Sequence, residues 1–210
     1  MPIISLVAED LDKSFSAGPP LFSGLNLRVE RGLVAVTGRN GSGKTTLLKI
    51  LAGLLRPSGG RVVVERAGSP LPPNERRLAV GWAGPDLSLY GELSAQENLE
   101  FFRRAAGRPI GREEIRRRLA AVGLAGEAIG RRVEELSTGM RQRLRLAFAL
   151  LFDPPVLLLD EPAASLDAEG RGVVQEAVRR VRGEGAVVLA SNDERDFERP
   201  EQVIELGRNR

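Results

Sequence analysis

The chain has 210 residues, 31 of them Lys or Arg against 28 Asp or Glu, for a formal net charge of +3. That length suits one domain, or one domain with an insertion, and 42% hydrophobic residues suffice for a real core. Having neither cysteine nor histidine, it has no disulfide or thiolate metal site and lacks the commonest general base. Residues 4–11 and 25–30 read as strands with one wet face, the second placing Leu25, Leu27 and Val29 inward. Ser16-Ala17-Gly18-Pro19-Pro20 reads as a turn between them. Phe15, just before that turn, has two readings: a strand-end aromatic, or a ring that stacks on a nucleobase.

Residues 33–36 form an unbroken apolar run, the pattern of a parallel strand buried on both faces. Gly38-Arg39-Asn40-Gly41-Ser42-Gly43-Lys44-Thr45 follows, then Thr46, matching Gly, four residues, Gly-Lys-Ser/Thr, the phosphate-binding P-loop. A core helix is predicted over 45–54, with Leu47, Leu48, Ile50, Leu51 and Leu54 apolar. Glycines let backbone N–H groups converge on phosphate oxygens, and the helix N-terminus adds partial positive charge. Lys44 would reach the β- and γ-phosphates and the Thr45 hydroxyl would ligate Mg²⁺. Strand, glycine turn and helix together predict a nucleoside triphosphate site.

Beyond the helix, 62–64 begins another strand, 68–77 reads as a proline-rich loop, and 78–82 is again strand-like. Ser94 with Glu97 is a capping box opening a helix through Phe101 and Phe102. A second helix from about Glu113 puts Ile115, Leu119 and Val122 on one side and pairs Glu113 with Arg117 and Glu114 with Arg118. A third opens at Leu136-Ser137-Thr138-Gly139-Met140, with Ser137 as N-cap and Met140, Leu144, Ala147 and Leu151 on one face. Asp153-Pro154-Pro155 ends it. Residues 156–159 are a buried strand delivering Asp160-Glu161-Pro162. Two adjacent carboxylates on an apolar strand are costly unless they serve a metal or a reaction. Asp160 is the better metal ligand, and Glu161 the better group to polarise an attacking water. Ser165-Leu166-Asp167 leads into a helix with Val173, Ala177 and Val181, 186–190 is a buried strand ending beside Ser191-Asn192-Asp193, and 203–206 is the last strand.

In this order the pieces resemble the nucleotide-binding subunit of ABC transporters over about 4–207. Gly38 to Thr45 matches Walker A, and Leu136-Ser137-Thr138-Gly139-Met140 is similar to the LSGGQ signature. Residues 157–161 match Walker B, Ser165-Leu166-Asp167 the D-loop, and Phe15 the adenine-stacking aromatic. The resemblance implies an α/β P-loop NTPase core with a mostly parallel sheet, an N-terminal antiparallel β-subdomain and an inserted helical subdomain. The core would be 1–83 with 151–210, and the helical part 84–150. It implies hydrolysis of ATP with Mg²⁺ between two subunits meeting head to tail, Ser137, Thr138, Gly139 and Met140 facing the partner's nucleotide. An integral membrane permease would be the further partner, with the chain at the cytoplasmic face of the membrane. No nucleic-acid partner is expected, since the arginines are spread along the chain, and no apolar stretch approaches the roughly 18 residues of a membrane span.

Two positions depart from the family pattern. The Q-loop glutamine would fall at Pro85 or Asp86, and Asp86 is the candidate to approach Mg²⁺ instead. The switch histidine would fall at Asn192, which can hydrogen-bond a γ-phosphate but cannot carry its proton. The absence of a C-terminal regulatory extension and the Met140-Arg141-Gln142-Arg143 context resemble export-type subunits, small haem-exporter subunits of cytochrome c maturation among them. A weakly active regulatory subunit and a soluble non-transport ABC ATPase are the competing classes.

Overall fold

The computed structural model describes residues 3–15 and 19–207, so most of the predicted 16–20 turn lies outside the described residues. Two sheets organise it. In the first, β1 (Ile4–Lys13) pairs antiparallel with β2 (Phe22–Val29) and with β4 (Gly59–Arg66), which pairs with the short β5 (Ser69–Pro70). Leu27 and Val29 are buried and Arg28 exposed, as the alternation requires.

The second sheet is parallel, in the order β6 (Val80–Ala83), β7 (Val156–Asp160), β8 (Ala186–Ala190), β3 (Gly32–Thr37), β9 (Gln202–Glu205). Every residue of β7 and β8 is buried, the expected signature of strands covered on both faces. One apolar cluster, including Leu6, Leu47, Leu48 and Leu158, fills the space between the two sheets and α1 (Lys44–Leu51). The other, including Leu99, Ile115, Leu144, Leu157 and Val178, joins the opposite face of the parallel sheet to the remaining long helices.

Three local expectations need correction. Residues 73–79, expected as loop and strand start, form the helix α2 (Pro73–Ala79), because proline at the first helical position has its φ preset and no N–H to lose. Helix α1 stops at Leu51, leaving Leu54 62% exposed rather than in the core. The predicted Glu113–Arg117 pair is not formed: Glu113 pairs with Arg116, and Arg117 joins Arg118 on Glu114.

The capping box opens α3 (Ala95–Ala105) as read, with both reciprocal bonds present. Ile115, Leu119 and Val122 are buried along α4 (Arg112–Ala121) and its end. Ser137 caps α5 (Thr138–Ala149) by accepting the Met140 N–H. Asp167 caps α6 (Ala168–Glu184), where Val174, Ala177 and Val178 are the buried line and Val173 and Val181 its rim. Among the described residues no helix is long and apolar enough to cross a membrane.

Candidate functional site

Parallel strands carry their succeeding loops to one edge, and here β3, β7 and β8 end together. The turn 38–43 leaves β3 with Gly38, Gly41 and Gly43 all at positive φ. A Cβ on Gly38 would meet the Leu206 carbonyl at 2.5 Å and Ser42 Oγ at 2.6 Å, so this position admits glycine alone. Gly43 begins α1 without a side-chain cap, and no acidic residue sits in the first turn. Its leading N–H groups therefore remain available to an anion.

Strand β8 lies between β3 and β7, so the P-loop and Asp160 are not on neighbouring strands. The first turn of α1 closes that gap: Thr45 Oγ1 donates to Asp160 Oδ2 at 2.6 Å. Asp160 is 1% exposed and its other oxygen, Oδ1, is buried without a hydrogen-bond partner. Burial raises its pKa above the ordinary carboxylate value, with the Thr45 bond opposing. A buried carboxylate oxygen with nothing to bind, beside a hydroxyl, fits a hard cation. Among the described residues no three His, Cys, Asp or Glu side chains gather as a metal cage. A donor set of this kind suits Mg²⁺, which takes one or two protein oxygens and completes its shell with water and phosphate.

Lys44, 6% exposed, donates from Nζ to the Gly38 carbonyl and to Asn192 Oδ1, both at 2.8 Å. Asn192 Nδ2 in turn donates to Asn40 Oδ1 at 2.6 Å. Glu161 stands next to Asp160 at φ 48, outside the comfortable range of a residue with a side chain. Burial raises its pKa as well, Lys44 opposing. Together Asn40, Gly41, Gly43, Lys44, Thr45, Thr46, Asp160 and Glu161 line an open cleft of about 280 Å³, with Leu21 as its apolar wall. Arg39 is exposed, its carbonyl accepting the Ser42 N–H at 3.0 Å.

Not every predicted residue joins this cleft. Phe15 is 54% exposed with Lys13 Nζ 4.6 Å from its ring centroid, so it is not a core residue, and it does not line the cleft. Asp86 is held by Lys49 at 2.5 Å, one turn beyond Thr45 on α1, and is not on the cleft wall. Its carboxylate is committed to that ammonium, which is the physical reason it does not turn toward Asp160. Ser137 and Thr138 are exposed, with Gly139 and Met140 half-buried, at the start of α5. Gly139 packs on Ser165 and Leu166, and Arg143, one turn further on, bridges to Asp167 at 3.3 Å.

Sequence reasoning gives no role in the site to Ser191, Asp196, Arg171 or Gln142. Ser191 Oγ lies 2.6 Å from Asp196 Oδ2 and 3.3 Å from Glu161 Oε2, and with one proton to give it serves one carboxylate at a time. Arg171 of α6 holds Asp196 at 2.8 Å. The sequence signal is faint: a serine just past a buried strand, and an acidic residue following it.

A glycine turn between strand and helix, with an aspartate and glutamate at the end of a nearby parallel strand, defines a P-loop NTPase of the α/β class. The chain belongs to the ABC transporter family, whose model matches residues 22–164. It is 40% identical over 169 residues to the molybdenum import ATP-binding protein ModC of Brucella abortus, covering 76% of this chain and 45% of that protein. It is 34% identical to the ABC transporter ATP-binding protein NatA of Bacillus subtilis, covering 80% of this chain and 70% of that one. With the daunorubicin resistance ATP-binding protein DrrA3 of Streptomyces coeruleorubidus the identity is 42%, over 79% of this chain and 53% of the other. The chain thus spans about half the length of several curated relatives it matches. The dimeric ABC transporter cassette MJ0796 superposes with a TM-score of 0.83 at 25% identity, covering 96% of this chain and 94% of that one. An import protein and a drug-resistance protein match equally well, so the expected export type and haem specificity are not carried by these relatives.

Proposed function

We propose that the chain is the ATP-binding and ATP-hydrolysing motor subunit of an ABC membrane transporter. The observation that carries this reading is the convergence of Lys44, the Thr45–Asp160 pair and Glu161 on one cleft at the carboxyl ends of β3, β7 and β8, with Asn192 bonded to Lys44 beside it. The cleft, about 280 Å³, sits at the low edge of ordinary ligand pockets, about 300–1,000 Å³. The base would rest outside it, on Phe15.

Phosphate oxygens take the N–H groups of 40–46 and the charge of Lys44, which exchanges the Gly38 carbonyl and Asn192 for phosphate. Thr45 and Asp160 would hold Mg²⁺, which would supply neutralisation of phosphate charge. Glu161 accepts the proton of the attacking water. Asn192 donates to the γ-phosphate from the amide that now holds Asn40.

The division into a core, 1–83 with 151–210, and a helical arm, 84–150, gives the motor its moving part. Ser137, Thr138, Gly139 and Met140, exposed or half-buried at the N-terminus of α5, would complete the site of a second subunit, identical or paired, with Ser165 and Asp167 alongside. The arm then pushes on an integral permease at the cytoplasmic face of the membrane. Export is the direction we adopt, on the Met140-Arg141-Gln142-Arg143 context. Cargo, haem included, belongs to the permease.

A second reading, a subunit that binds ATP with little turnover, is favoured by the Lys44–Asn192–Asn40 chain, which ties up the P-loop lysine. One experiment separates them. Glu161→Gln should retain ATP binding and lose turnover by about 100-fold or more, the usual worth of a positioned base. A native chain that binds ATP and releases no phosphate above the Glu161→Gln level would favour the second reading.

A further inference from the structure

Helix α5 carries a buried amide aimed at the turn that holds Glu161. Gln142 is 8% exposed, and its Nε2 donates to the carbonyls of Glu161 at 3.2 Å and Pro162 at 3.1 Å. Its Oε1 accepts from Arg145 Nη1 at 3.1 Å, one turn along the same helix. Arginine only donates and carbonyls only accept, so these neighbours fix which end of the amide is which.

The clamp falls where the backbone most needs holding. Glu161 sits at φ 48, in the left-handed region that strains a residue with a Cβ. Its N–H donates to the Ala190 carbonyl at 2.9 Å, and its own carbonyl accepts the Ala164 N–H at 3.2 Å as well as the Gln142 amide. Both peptide planes flanking Glu161 are therefore tied, and its side chain leaves toward Ser191 and the cleft. Of these ties, only the Gln142 bond comes from outside the parallel sheet and its own turn.

We infer that Gln142 is the positioning residue for Glu161, fixing the direction of its carboxylate from the helix that begins at Ser137. This rests on the reading of Glu161 as the group that polarises water. Gln142 does not line the cleft, so it acts through Glu161 alone. Helix α5 thereby serves two sites. Its exposed N-terminus is offered to a neighbouring subunit, while one turn further in it sets the reacting carboxylate of its own chain. A shift of α5 on nucleotide closure would pull directly on the Glu161 and Pro162 carbonyls.

The test measures ATP turnover at saturating ATP, ATP affinity and melting temperature for the full chain. The variants are Gln142→Met, Glu161→Gln, and both together. Methionine keeps length and burial and removes both donors. Gln142→Met is expected to lower kcat about 10- to 100-fold, the scale of an ångström's misplacement, with ATP affinity within about twofold. In the Glu161→Gln background it should change the residual rate no further, a non-additivity that a general loss of packing would not produce. Should Gln142→Met not fold, Arg145→Met frees Oε1 so that the amide can turn, and a smaller fall in kcat with the same non-additivity is expected. Unchanged kcat in a folded variant, or an equal further loss in the Glu161→Gln background, would overturn the inference. Full turnover by Glu161→Gln alone would overturn the proposed function beneath it, which keeps the two failures apart.

Discussion

The P-loop edge and the start of α5 differ in one respect that decides how the protein works. At the P-loop, Lys44, Thr45, Asp160 and Asn192 each find partners inside the chain, and the first three line one cleft. At α5, Ser137 and Thr138 point to solvent, and Ser137 bonds only the N–H of its own helix. Both are helix N-termini after a short turn, with the same anion-binding potential. One stands over a lysine and a carboxylate pair; at the other, Gly139 packs on Ser165 and Leu166 while Ser137 and Thr138 stay exposed. On the proposed function, the contrast divides one chain into two half-sites of unequal kind, a binding half and a covering half.

The strongest way to break the comparison is to remove the binding half. Lys44→Ala deletes a buried ammonium and its charge-assisted bonds, each worth about 1.5–3 kcal/mol. ATP affinity should fall about 10- to 150-fold by titration, whereas Ser137→Ala should leave the affinity of the isolated chain unchanged. Equal losses in the two variants would erase the distinction. Phe15→Ala should weaken ATP binding by about 1–3 kcal/mol, by analogy with base–aromatic stacking. Because that ring is 54% exposed, its melting temperature should hold steady; unchanged affinity would remove Phe15 from the site.

Asn192 sharpens the comparison more gently. Its amide offers a γ-phosphate a neutral donor, so Asn192→Ala at saturating ATP should slow turnover by about 5-fold, corresponding to roughly 1 kcal/mol. Asn192→His should raise it, since a charged donor bonds about twice as strongly. A rate unaffected by alanine would make Asn192 only a clasp on Asn40 and Lys44.

The smallest effect tests the arm. Ser94→Ala removes an N-cap and should cost about 1 kcal/mol, a fall of about 2–4 °C in Tm for a chain of this size. Its partner Glu97 has a depressed pKa, held down first by the Ser94 backbone N–H and then by the Ser94 hydroxyl. A depressed carboxylate contributes stability that is present above its unfolded value, 4.5, and lost as pH falls through the lower folded value. Native protein should therefore lose stability more steeply than Glu97→Gln on acidification below about 4.5; parallel denaturation curves would show the box to be idle.

Much of the fold is legible in the sequence because its signals are local. Residues 33–36, 156–159 and 186–190 are apolar runs of the length a two-sided burial demands, and the P-loop spacing admits one geometry. Ser94 with Glu97 is a complete local instruction. The features that escape depend on meetings across the chain. That β8 inserts between β3 and β7 has no mark in either neighbour's sequence. Gln142 reads as one more polar residue on an arginine-rich helix, until Glu161 and Pro162 are folded against it. Asp86 looks free to meet a metal because Lys49 is far from it in sequence and beside it in space. The helix at 73–79 escapes for the opposite reason: two prolines outweigh a local pattern that proline at N1 in fact supports.

The central claim, that the covering half belongs to a second copy's nucleotide, is tested most directly by the mass of Glu161→Gln in solution. The variant is run by size exclusion with light scattering without nucleotide, with sodium ATP, and with sodium ATP after adding Ser137→Ala. The account predicts a monomer without nucleotide, a dimer with ATP, and a monomer again when Ser137 is removed. A dimer indifferent to nucleotide and to Ser137, or a monomer throughout at ATP concentrations that saturate binding, would contradict it.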